Sequence, residues 1–180
     1  MLKTKYPNFG NVQYLYYLKL VINCIVFYGF LFHSTNCYSQ TSLPFGNIKI
    51  DDLKNKPYEP DPGADAIVLS DIAVAGLGYD SRGFFVEMER DVRIKIVNSD
   101  GFGYADITLP FRKDEKITKY KASTFNLKNG EKIETPVTKE AFIIEKTGES
   151  RQSLKFSFPD VHEGSIIEYT YRMRLGSYSK

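Results

Sequence analysis

The stretch Phe156-Ser-Phe-Pro-Asp-Val-His-Glu-Gly-Ser-Ile-Ile-Glu-Tyr-Thr-Tyr-Arg-Met-Arg-Leu175 decides how the chain is read. Leu154, Phe156 and Phe158 alternate with polar neighbours and stop at Pro159. Proline has no N–H for a sheet ladder, so it suits a strand end. Asp160 to Gly164 supplies turn chemistry. Beyond it Ile167, Tyr169, Tyr171, Met173 and Leu175 share one face, and Glu168, Thr170, Arg172 and Arg174 share the other. A period of two marks a half-buried strand. The stretch therefore reads as a hairpin that pairs with strands earlier in the chain.

Those earlier strands are present. Phe84, Val86, Met88, Val92, Ile94 and Ile96 define a core face over 84–97, with Glu87, Glu89, Asp91, Arg93 and Lys95 on a wet one. Ile94 is expected to be buried and Glu89 solvated. Arg90 interrupts the apolar face, which predicts a bend or bulge in this strand. Residues 64–70 and 72–75 read as a strand pair or one bent strand, and 76–83 as a loop. Residues 98–103 turn, and a strand over 104–109 ends at Pro110. Residues 117–127 and 132–137 flank Asn129-Gly130, a pair that tolerates the positive φ of a tight hairpin. A short strand covers 141–145. Strands at this spacing, with Tyr and Phe at 13 each, predict an all-β, antiparallel β-sandwich.

The domain organisation follows from the N-terminus. Residues 20–32 are apolar apart from Asn23 and Gly29, and Lys3, Lys5 and Lys19 precede them. A basic start and a short apolar run describe a secretory signal; a membrane span needs about 20 residues. Residues 1–39 are thus expected to be a signal peptide cut at Ser39–Gln40. Residues 40–63, with Pro44, Pro57, Pro60 and Pro62, read as a leader with one helical turn near Asp51, and 64–180 as the sandwich. The implied location is periplasmic or secreted, with membrane contact only through the signal.

Composition narrows the function. Of 24 basic residues, three lie in the signal, so 21 face 22 acidic ones in the rest. Interspersed charge near neutrality gives no case for nucleic acid. Both cysteines, Cys24 and Cys37, fall in the signal with His33, which leaves His162 as the remaining histidine. Glu87, Glu89 and Asp91 stand at a spacing of about 6–7 Å, as paired carboxylates of a glycosidase would, but continue into a solvated face. Gly76-Leu-Gly78 and Gly101-Phe-Gly103 lack the third glycine and the following helix of a phosphate loop. His162 has neither metal-ligand partners nor a nucleophile elbow and reads as an exposed turn residue. The aromatics could build a sugar platform, but at strand spacing they fill a core. No catalytic, cofactor-binding or metal residue is assigned, and no cofactor.

Three segments carry a resemblance. They are Tyr58-Glu-Pro-Asp-Pro-Gly-Ala-Asp-Ala-Ile-Val-Leu69; Arg93 to Gly101 with Tyr104-Ala-Asp-Ile-Thr-Leu-Pro110; and Phe156 to Tyr171. Tyr120-Lys-Ala-Ser-Thr124 before Asn129-Gly130 fits as well. Together they resemble domain of unknown function 3857, a sandwich-like module at the front of exported bacterial proteins that carry a transglutaminase-like domain behind it. The resemblance implies a non-catalytic accessory module that binds or positions a partner or substrate, its partner a protein or the downstream transglutaminase-like domain. The Cys, His and Asp of that chemistry would lie beyond Lys180, so the chain is expected to be the front portion of a longer protein. The alternative is a free-standing extracytoplasmic interaction or glycan-binding module.

Overall fold

The computed structural model describes residues 16–23, 43–55, 58–81, 83–175. It divides into two compact units, Met1–Gln40 and Thr41–Lys180. In the first unit residues 16–23 are helical. No helix among the described residues is long and apolar enough to cross a membrane. Cys24, His33, Cys37 and the expected cleavage point lie outside the described residues.

The second unit is an antiparallel β-sandwich, as its alternation requires. Eight strands are described: β1 (Ala66–Asp80), β2 (Gly83–Ile96), β3 (Asp106–Arg112), β4 (Lys116–Lys128), β5 (Glu131–Pro136), β6 (Ile143–Lys146), β7 (Arg151–Ser157) and β8 (Ile166–Arg174). One sheet runs β1-β2-β8-β4-β5 and the other β3-β7-β6. Val92, Ile94 and Ile96 of β2 and Ile167, Tyr169, Tyr171 and Met173 of β8 meet Leu109, Phe111, Leu154 and Phe156 of the small sheet. Asn129 (φ 54) and Gly130 (φ 82) make the β4–β5 turn with both angles positive, as the Asn-Gly pair predicts. Pro110 lies inside β3 rather than ending it, which costs no ladder bond because β3 is an edge strand.

Four further expectations are corrected. First, β7 and β8 are not a hairpin: they lie in different sheets, and residues 158–165 cross between the layers. Phe158 N–H donates to the Ala105 carbonyl, the Thr124 hydroxyl to the Pro159 carbonyl, and the Asn126 amide to the Asp160 carbonyl. These bonds hold the crossing where Pro159 has left the ladder. Second, residues 76–80 are strand, not loop. β1 is one long strand, and its irregularity lies at Leu69, between Val68 and Ser70. Third, the bulge expected at Arg90 is absent; β2 stays regular there, opposite Ala73 and Tyr171. Fourth, the turn 98–103 belongs to a 3-10 helix over Ser99–Ala105, whose N-cap Asn98 accepts from the Asp100 N–H.

The face expected to be wet is wet only in part. The leader segment 43–55 straps across it, with a 3-10 turn at Ile50–Leu53. Ile48 and Leu53 join Phe125 and Ile166 in a second core. Beneath the strap Arg93 and Glu168 form an ion pair at 2.6 Å with side chains 7% and 5% exposed. The other Glu168 oxygen accepts from the Gly46 N–H, and Arg93 Nη1 donates to the Asn47 carbonyl. Lys95 Nζ donates to the Asp52 and Lys54 carbonyls. A buried charge persists only when it is paired, and the strap's backbone adds partners to both ends of the pair, although the buried Arg93 Nε is left without one.

Candidate functional site

The β1–β2 hairpin outruns the rest of the sandwich. Pairing between β2 and β8 ends at Glu87 opposite Arg174, after which Leu175 N–H reaches the Val86 carbonyl. β1 and β2 continue together to Asp80 opposite Gly83. On this arm the face that is core farther down has nothing over it among the described residues. Leu77 is 81% exposed, Tyr79 72% and Phe84 68%. The Tyr79 and Phe84 rings stand 5.1 Å apart. Phe84, expected in the core, is therefore at the surface, because the small sheet does not reach so far. Val86 and Met88, half-buried, join this patch to the core.

Arg90 marks the boundary between covered and uncovered face. Its guanidinium grips Asp71 with two bonds, Nε to Oδ1 at 2.8 Å and Nη2 to Oδ2 at 2.6 Å. That bond holds the Asp71 carboxyl below its ordinary range and the Arg90 guanidinium more firmly protonated. A cation at a core-facing position thus carries its own counter-ion from the neighbouring strand.

The opposite face of the arm is a charge ladder. Gly78 has no Cβ, and one built there would meet the Phe85 ring at 2.3 Å; the ring lies across the glycine. The Arg174 guanidinium stacks 3.6 Å from the centre of that ring and bonds Asp80 at 2.7 Å. Arg172 bonds Glu89 at 2.7 Å and lies 3.8 Å from Glu87. The Glu89 carboxylate holds the Arg172 guanidinium charged beyond its ordinary range.

The structure places the remaining candidates as follows. Glu87 and Glu89 share a face but are matched by Arg172 rather than aimed into an enclosed cavity. His162 is exposed in the β7–β8 crossing, 3.0 Å from Asp160. Gly76 and Gly78 are strand residues, and Gly101 and Gly103 lie in the 3-10 helix. Phe156, Phe158, Tyr169 and Tyr171 are core rings. Among the described residues no group of three or more His, Cys, Asp or Glu is placed to hold a metal. An open groove of about 620 Å³ follows the unpaired end of β4 beside Tyr120 and Phe142, whose rings stand 4.5 Å apart. The arm itself was missed as a surface. Its signal was alternation running on through the glycines: Ala73, Ala75, Leu77 and Tyr79 on one face, Val74, Gly76 and Gly78 on the other.

A two-sheet antiparallel sandwich with a projecting hairpin is the class of domain these observations define. The chain belongs to the family "Domain of Unknown Function with solved-structure structure", DUF3857, whose profile matches residues 86–179. Among curated proteins, none matches. Among solved structures the chain is similar to one from Parabacteroides distasonis, described as a candidate protease. That match has a TM-score of 0.48 at 13% identity, covering 63% of this chain and 24% of that one.

Proposed function

We propose that the chain is a non-catalytic interaction module of an extracytoplasmic protein, and that the β1–β2 arm is the part that engages a protein partner. The observation that carries this reading is the uncovered apolar face of Leu77, Tyr79 and Phe84. Apolar side chains collected on one rigid, projecting element mark a protein–protein contact more often than scattered surface residues do. The resemblance supplies the partner class, a transglutaminase-like domain that the module positions. The basic start and apolar run of residues 1–39 support export.

The test adds a purified transglutaminase-like domain from the same organism in trans. Leu77→Asp and Tyr79→Asp lie in solvent and should leave the fold intact, yet each should weaken binding by about tenfold or more. Equal affinity of both variants and the parent would contradict the docking face. The chain alone should neither cleave nor cross-link glutamine- and lysine-containing peptides. Activity that disappears with His162→Ala would overturn the non-catalytic reading.

A further inference from the structure

β1 is an edge strand over its whole length, and its exposed edge is unusually clean. In residues 66–80 there is no Lys, Arg or Pro, the residues by which edges ordinarily resist pairing. Its two carboxylates are matched from within the same sheet, Asp71 by Arg90 of β2 and Asp80 by Arg174 of β8. Leu175 N–H binds the Val86 carbonyl, and Ile96 exchanges bonds with Gly164 and Ser165. Even-numbered β2 residues therefore bond toward β8, and odd-numbered ones toward β1. Their β1 partners are Ile72, Val74, Gly76, Gly78 and Asp80. In an antiparallel ladder the intervening residues turn their N–H and C=O the other way. Asp71, Ala73, Ala75, Leu77 and Tyr79 thus present donors and acceptors outward along an edge that no described strand covers.

The geometry points to a second copy of this chain as the occupant, paired antiparallel through β1 about a two-fold axis at Ala75. The regular part of β1 lies between the irregularity at Leu69 and the turn after Asp80. Ala75 is its midpoint, so this register gives the longest uninterrupted overlap. It sets Leu77 opposite Ala73 of the other copy, large against small. Tyr79 falls opposite Asp71, whose charge Arg90 already matches. An edge whose two carboxylates are already paired within the chain, and whose side chains are complementary under reversal, fits itself, whereas a charged extended segment finds no unpaired counter-ion on it. Such an isologous contact closes on itself and joins two five-stranded sheets into one. The inference goes beyond the docking reading, because it uses the backbone edge of β1 and not the face of the arm. A monomer would remove it and leave that reading standing.

The test uses the full chain with Cys24→Ser and Cys37→Ser. Residues paired across this axis have Cα atoms about 5.5 Å apart, within disulfide reach. Ala75→Cys should give a covalent dimer under mild oxidation. Val68→Cys, also exposed but far from its counterpart, should not. Ala75→Pro removes an outward N–H from each copy and should raise the dimer dissociation constant about tenfold or more by sedimentation, with unchanged circular dichroism. If Ala75→Pro fails to fold, Ala73→Lys, at an exposed position outside the Leu77, Tyr79 and Phe84 patch, gives the same readout. A chain that sediments as a monomer and does not cross-link at Ala75→Cys would overturn the proposal. So would equal cross-linking at Val68→Cys.

Discussion

Replacing Ile94 by Asp should unfold the domain or nearly so. Ile94 sits in the core between the two sheets, opposite Val68 and Ile167. A carboxylate there would have no partner, and burying an unpaired charge costs several kcal/mol. The whole stability of a domain this size is about 5–15 kcal/mol. The matched control is Glu89→Lys on the opposite face of the same strand. Its side chain is about half-exposed and pairs with Arg172. Loss of an exposed pair costs about 1 kcal/mol or less. Chemical denaturation of both variants checks the register. Equal losses, or a larger one for Glu89→Lys, would place these residues on the wrong faces.

The second large effect belongs to Glu168. Its truncation to Ala leaves the Arg93 guanidinium buried beneath the strap without its carboxylate. Breaking a buried pair from one side costs about 3–5 kcal/mol. The strap should loosen too, since the Gly46 N–H loses its acceptor. Limited proteolysis should then cut within residues 43–55 before it cuts the sandwich. The double variant Arg93→Met with Glu168→Leu should recover most of the loss, because apolar groups of similar volume can replace a buried pair. A Glu168→Ala loss below about 1 kcal/mol would mean that the strap does not bury this pair.

The sandwich was legible where physics is local. Period two in β2 and β8 gave the inner face, and Asn129-Gly130 gave its turn. What failed was set by distant chain. Arg93, Lys95 and Glu168 carry the polarity of a wet face, and among the described residues they are covered by 44–54, about 40 or more positions from Arg93 and Lys95 and over 110 from Glu168. One hint was present: Ile166 beside Ile167 breaks the alternation, so both faces of β8 needed cover there. The β7–β8 crossing looked like a hairpin because Pro159 to Gly164 has turn chemistry. Whether a turn keeps the chain in one sheet depends on partners such as Ala105 and Thr124. The arm was hidden by its glycines. Gly76 and Gly78 suggested a loop, yet Gly78 is small to admit the Phe85 ring. Phe84 shows the converse, since alternation tells which face a residue takes but not where the covering layer stops.

The docking role of the arm is tested most directly by hydrogen exchange followed by mass spectrometry. The chain is measured alone and with a purified transglutaminase-like domain, at one fixed chain concentration. Amides in residues 72–88 should slow when the domain is added, while those of β7 and β8 keep their rates. Slowing confined to other strands, with 72–88 unchanged, would contradict the account.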